Sequence, residues 1–365
     1  MKRFFALFLV ILAFLVSMPS YSASEADDIL TISMVGDILL DGSVKRFIGK
    51  NGVDYPWKEV QEYLRASDLA IGNLETSITD RNIKWEGKKY NFKAPSRVLK
   101  GLKDSGIEVV TIANNHVLDY GHDGLIDTMK NLDKYDIKYA GAGKNKKEAV
   151  KGVILEKKGV KVGILSFSRV IPDVKWYAKD NRAGIVSAYD PYVNEMLECI
   201  KEMKKEADIV ILSIHWGVER STSPRKEEIA VAKKAIDSGA DIVMGHHPHV
   251  LQGIEIYKGK PIFYSLGNFV FGSWDKINSK TVIGQVVIKG KKVSDVKIIP
   301  CKIVNCRPVP LQNKEKANLI EYMRNLSNGF DIAIDKNGIV NKKHEISFQG
   351  YKICTSAGRI KFIYI

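Results

Sequence analysis

At 365 residues, 45% apolar and 27% charged, the chain can bury a full core in one large domain or two ordinary ones, and its composition excludes a disordered protein. The formal net charge of +14 favours polyanionic partners such as nucleic acid, anionic lipid or an acidic polymer, without choosing among them. A solvated lysine-rich surface accounts for that charge equally well. The chain opens with MKRFFALFLVILAFLVSMPSYSAS, in which Lys2 and Arg3 precede thirteen apolar residues, Phe4 to Val16. That run is short for a spanning helix and fits a signal-peptide core, cut after Ser22 or Ala23. An uncleaved membrane anchor over residues 1–23 is the alternative. Under either reading the body of the protein is expected outside the cytoplasm, and no later segment is long and apolar enough to span a membrane.

Five apolar runs then end in polar clusters: ILTISMVGD (29–37), DLAIGNLE (68–75), IEVVTIANNH (107–116), ADIVILSIHW (207–216) and ADIVMGHHPH (240–249). A sixth, VKVGILSFSR (160–169), lacks an acid, amide or imidazole at its end. Near-continuous Val/Ile/Leu runs of this length predict strands buried on both faces. Helical spacing falls between them, at 96–106, 124–135, 190–208 and 223–240. Asp190–Pro191 and Pro224 are the predicted starts of the last two helices. Strands alternating with helices predict an α/β fold, in which loops at strand carboxyl ends converge on one rim.

From about residue 257, short alternating runs divided by Gly-Lys turns predict antiparallel hairpins that form a second sheet packed on the first. A helix near 313–326 and a lysine-bearing strand tail complete the chain. Of the four cysteines, Cys301–Cys306 and Cys306–Cys354 are the pairs left open for a disulfide, but four in so long a chain make no disulfide framework and no zinc site.

Six of the seven histidines (116, 122, 215, 246, 247 and 249) lie in three of the strand-end clusters, beside Asp37, Asn73, Glu75, Asn115 and Asp119. Imidazole, carboxylate and amide oxygen together suit a divalent transition metal. Two neighbouring ions would need six or more such groups, including a bridging carboxylate, and one rim supplies them. In an extended HPH segment, His247 and His249 aim the same way while Pro248 stiffens the link, one ligand for each ion. Asn115 offers an amide oxygen, and His116 beside it is placed to protonate a leaving group. Bland roles remain open for single residues: helix capping for Asp37 and Glu75, a tight turn for Asn114 and Asn115, and helix opening for His122 and Asp123. Trp216 is expected to wall the cleft. Export, and the lack of a basic helix with stacking aromatics, argue against nucleic acid.

The stretches GD (36–37), GNLE (72–75), NNHVLDYGHDG (114–124), HWGVE (215–219) and GHHPHVLQGIEIYKGKPIFYSLGNFVF (245–271) resemble the bacterial capsule-synthesis CapA family, associated with poly-γ-glutamate and related to calcineurin-like metallophosphoesterases. The resemblance implies a metallophosphoesterase-like four-layer α/β/β/α sandwich over 29–310, followed by a helix and strand extension over 311–365. It implies two divalent ions (Mn, Fe or Zn) held by Asp37, Glu75, Asn115, His215, His247 and His249, with Glu75 bridging and His116 as the catalytic imidazole. Asn73 and His246 are further candidates. Two positions depart from the phosphoesterase pattern: Leu39 stands where a ligand histidine is usual, and Glu75 replaces an aspartate. His246 is the candidate to supply the missing imidazole.

Two functions follow from this. In one, an exported metal-dependent hydrolase or transferase attacks a phosphoester, or an amide of an acidic polymer, with His116 assisting the leaving group. In the other, a non-catalytic surface protein binds and guides an anionic polymer. Both place it beside poly-γ-glutamate or a similar polymer and membrane-bound capsule-synthesis machinery.

Overall fold

The structure, a computed structural model, describes residues 29–273 and 275–343 with their side chains, and the backbone of the strands Tyr351–Ser356 and Arg359–Tyr364. The N-terminal leader or anchor, His344 and the Cys354 side chain lie outside the described residues. Among those described, no helix is long and apolar enough to cross a membrane.

The apolar runs form two sheets. In the first, Ile29–Ile38, Leu69–Leu74, Val109–Thr111 and Lys138–Ala140 run parallel in that order. The second has Val160–Ser168, Ile209–His215 and Ile242–His246 parallel at its centre. Ile32, Met34, Ile71 and Val109 of the first sheet share one buried cluster with Ile164, Ile211, Ile242 and Met244 of the second. The outer face of the first sheet is covered by the helices Val98–Asp104 and Gly121–Lys134, through Leu99, Leu102, Leu125 and Met129. Helices Val193–Glu206 and Lys226–Asp237 cover the second through Met196, Ile200, Ala232 and Ala235. The fold is therefore a four-layer α/β/β/α sandwich, and strands buried on both faces follow from it.

The late hairpins differ from expectation. They do not make a separate second sheet but extend both sheets at their edges. Lys280–Lys289 pairs antiparallel with Ile29–Ile38, and Lys292–Val304 pairs with it in turn. Ile254–Tyr257 and Lys260–Phe263 instead join the second sheet beside Ile242–His246. An edge strand accepts whichever neighbour supplies its open hydrogen bonds, and hairpin signals alone do not name that neighbour. The helix Asn313–Leu326 and the strands Ile332–Ile334 and Val340–Lys342 add Leu319, Ile320, Met323, Ile332 and Val340 to the core between the sheets.

Two helix starts move. Asp190–Pro191 lies in a turn closed by the Tyr192 amide on the Tyr189 carbonyl, so that helix begins at Val193. Pro224 precedes the cap of the next helix, where the Arg225 amide donates to Glu228 Oε2 and the helix begins at Lys226. The Cys301–Cys306 bridge does not form: both thiols are free, and that of Cys301 points to the Ile299 carbonyl.

Candidate metal centre

The parallel strands deliver their carboxyl ends to one rim between the sheets. Asp37 closes the strand Ile29–Ile38 and is fully buried. It reaches the rim because Gly36 packs directly on backbone: a Cβ there would sit 1.9 Å from the Gly267 carbonyl oxygen, whose neighbour contact lets the Asp37 amide donate to that same oxygen. Asn73 and Glu75 leave the adjacent strand, and the Asn73 side-chain amide donates to Asp37 Oδ1 at 2.9 Å. Asn114 donates to Asn73 Oδ1, which fixes the orientation of that amide.

The second sheet supplies the imidazoles. His215 and His246 are paired across neighbouring strands. Nε2 of His215 donates to Asn115 Oδ1 at 2.9 Å and lies 3.5 Å from Glu75 Oε1. His247 and His249 converge with ring centres 5.8 Å apart, but not through an extended segment. Both occupy the left-handed region, φ 95° and 57°, so backbone strain around Pro248 aims them rather than the pleat. His249 Nδ1 lies 3.0 Å from Asn268 Oδ1 and 3.2 Å from Asp37 Oδ2.

Two groups of ligand atoms emerge, each with all its atoms within 4.8 Å of one another: Glu75, His215 and His247, and Asp37, Glu75 and His249. Glu75 belongs to both. A third group joins Glu219, an exposed residue, to His247 and His249. Both oxygens of the Glu75 carboxylate are buried without a hydrogen-bond partner. A buried ionised carboxylate costs several kcal/mol unless a cation or donors compensate it. With carboxylate, imidazole and amide donors converging on it, the residues fit a divalent transition metal.

The electrostatics agree. Burial, and then the neighbouring Asp37, push the Glu75 carboxyl well above the usual range. Burial also opposes ionisation of Asp37, but His246 and His249 outweigh it and hold that carboxyl well below its ordinary value. Burial, reinforced by His247, keeps His215 neutral, and burial with His249 lowers His247 to about 3. His249 goes the other way: Glu75 and Asp37 overcome its burial and raise it to about 9.

His116 stands beside Asn115 and faces a second carboxylate. Its Nδ1 lies 2.8 Å from Asp119 Oδ2 and 3.0 Å from Lys88 Nζ. Lys88 also donates to Asp119 Oδ1 and to the Asn115 carbonyl. Its ammonium packs over the Trp176 ring. With Nδ1 turned to Asp119, Nε2 is the nitrogen left for a reacting group.

Other expectations resolve differently. His246 Nδ1 lies 3.2 Å from Asp37 Oδ1, yet both of its ring nitrogens lack a hydrogen-bond partner and it joins none of the ligand groups. Leu39 packs with Phe271 and Ile303 in an apolar group beside His249, whose ring contacts Phe271. Trp216 does not wall the cleft. It is fully buried in the outer core, its indole donating to the Tyr264 carbonyl, because it follows His215 by one residue and takes the opposite face. His122 is held by the Ala183 carbonyl. Lys88, Asn268 and Glu219 were not singled out from the sequence. Asp119 was, although only as one more possible ligand.

Residues 31–273 match the family described as bacterial capsule synthesis protein PGA_cap. Capsule biosynthesis protein CapA of Bacillus anthracis is 33% identical over 295 residues, covering 80% of this chain and 72% of that one. PGA biosynthesis protein CapA of Bacillus subtilis (strain 168) is 36% identical over 290 residues, covering 79% and 75%. Among solved structures, the 5'-nucleotidase from Candida albicans SC5314 superposes with a TM-score of 0.39 at 11% identity, over 83% of this chain and 55% of that one. The family match contains every candidate ligand from Asp37 to His249, and the chain belongs to the bacterial capsule synthesis protein family PGA_cap.

Proposed function

We propose that the protein is an extracytoplasmic, metal-dependent hydrolase that takes part in synthesis or export of an anionic capsule polymer of the poly-γ-glutamate type. Family membership, and relatives named for capsule and PGA biosynthesis, support the capsule role. The basic, apolar leader supports export, either with cleavage or with the segment kept as an anchor near membrane-bound synthesis machinery. The single observation carrying the metal centre is Glu75, a buried carboxylate without hydrogen-bond partners that is common to two ligand groups.

On this reading Glu75, common to both ligand groups, would help hold two divalent ions (Mn, Fe or Zn). Asp37 and His249 would hold one, while His215 and His247 would hold the other, with the Asn115 amide oxygen beside them. Asn73 orients Asp37 through its amide. Divalent ions held there would supply Lewis acidity and a water of lowered pKa. His116, oriented by Asp119, protonates the leaving oxygen or nitrogen through Nε2. Lys88 fixes that pair by donating to both Asp119 and the Asn115 carbonyl.

Leu39 favours a second reading. With an apolar side chain where the phosphoesterase pattern has a ligand, the centre would bind metal for structure and hold polymer without turnover. Hydrolysis of bis(p-nitrophenyl) phosphate, measured beside binding of poly-γ-glutamate with and without chelator, separates the two. Chelator-sensitive hydrolysis supports the enzyme. Polymer binding that survives chelation, with no hydrolysis under any metal, supports the binding protein.

A further inference from the structure

The rim does not end at the metal centre. One strand step from Asp37 is Asn268, paired with it in register. Asn268 contacts the Asn278 carbonyl at 3.5 Å, two residues before Lys280 opens the next strand. Lys280 is directly opposite Lys302 in the antiparallel pair. At about 4.8 Å per strand, the two lysines lie on the order of 10–15 Å along the rim from Asp37.

Lys280, Lys302 and Lys276 line one cavity of about 260 Å³, whose other walls include Leu311, Leu319 and Glu315. Like charges directly opposite on adjacent strands destabilise a sheet. Here a third ammonium joins them, and none of the three lysines makes an ion pair among the described residues. Asp275, the acid next to them in sequence, is itself engaged by Arg220 at 2.8 Å. The Lys280 ammonium packs over the Tyr322 ring, 4.2 Å from its centre, which fixes the side chain without an ion pair. Burial lowers Lys280 from its ordinary value; Asp275 opposes this, and Lys276 and Lys302 lower it further.

We propose that this cavity is a carboxylate-binding subsite for the polymer units that flank the one at the metal centre. The walls select the ligand. Three lysines against the one glutamate in the lining call for an anion, while the half-buried Leu311 calls for an apolar stem beside it. A γ-glutamyl unit carries a carboxylate on such a stem, which inorganic phosphate lacks. This inference rests on the capsule-polymer reading, but not on a filled metal centre.

The test is binding of a fluorescent γ-linked glutamate pentamer to the full chain, chelated and metal-loaded. Lys280→Gln/Lys302→Gln is expected to weaken binding at least about tenfold in both states, because each lost charge-assisted contact removes that order of affinity. Lys280→Arg/Lys302→Arg retains it, and unchanged melting temperatures certify the fold of each variant. Pentamer binding unaffected by the glutamine pair would overturn the subsite. Displacement of the pentamer by equimolar inorganic phosphate would overturn the carboxylate assignment. Lysine-dependent binding by a wild type that cannot be loaded with metal would count against the hydrolase while upholding the subsite.

Discussion

His116 and Asp119 form a buried imidazole–carboxylate pair, Nδ1 to Oδ2 at 2.8 Å, three residues apart in the turn before the helix Gly121–Lys134 and just outside the ligand groups. The same carboxylate accepts the Phe92 amide and the Lys88 ammonium, so its position is fixed from three sides. If His116 is the proton donor, His116→Ala lowers turnover of an activated phosphodiester by about 10²–10⁴-fold. Asp119→Asn is expected to lower it by about 10–100-fold through lost orientation. Metal content should be unchanged in both variants. Parallel loss of metal would place the pair in the fold of the centre rather than in proton transfer.

Glu75 separates metal binding from stability. In the chelated protein burial and the neighbouring Asp37 push its carboxyl well above the usual range, which favours the neutral acid that a glutamine side chain resembles. Glu75→Gln should therefore change chelated stability by less than about 1 kcal/mol. The metal-dependent gain of wild type, about 2.7 kcal/mol at a hundredfold excess over Kd, should vanish. Urea titrations with and without metal read both quantities. A chelated variant destabilised by about 3–5 kcal/mol would make Glu75 a structural ion-pair member instead.

The chelated protein also carries a pH signature. His249 rises from 6.5 to about 9 in the folded state, because Glu75 and Asp37 outweigh its burial. A raised value means the folded state holds the proton more tightly than the unfolded chain. The contribution is therefore fully present below 6.5 and is lost as pH climbs through about 9. Its slope can reach about 1.4 kcal/mol per pH unit in that window. The expected result is a urea midpoint that falls between pH 6.5 and 9 in wild type more steeply than in His249→Gln. Equal slopes would remove His249 from the charge balance of the centre.

Gly245 tests the scaffold. A Cβ there would sit 2.0 Å from the Tyr264 carbonyl oxygen, and backbone cannot yield as a side chain does. Gly245→Ala should cost stability at or above the upper end of about 1–3 kcal/mol and lower metal affinity, since His246 and His247 follow directly. Thermal melting with and without metal shows whether both effects appear together. A variant with wild-type stability would mean that the two strands do not approach this closely.

Much of the centre was legible because its chemistry is concentrated where topology concentrates ligands. Asp37, Glu75, Asn115, His215, His247 and His249 all terminate doubly buried strands or follow them directly, and the sandwich brings those ends together. Residues whose type is common were not legible. Lys88 is one of 56 basic residues, and only its packing over Trp176 and its reach to Asp119 distinguish it. Asn268 sits in an aromatic run whose pairing with Asp37 is a matter of register, which strand signals do not carry. The aim of His247 and His249 departs from the expected one for a related reason. Period-two reasoning holds in extended backbone, and the left-handed φ values here break that assumption.

The most direct test of the metal centre is elemental analysis of the purified protein beside His247→Ala/His249→Ala. About two transition-metal ions per chain in wild type, and their loss in a folded variant, is the predicted result. A folded wild-type protein that carries no metal and cannot be loaded with Mn, Fe or Zn would contradict it.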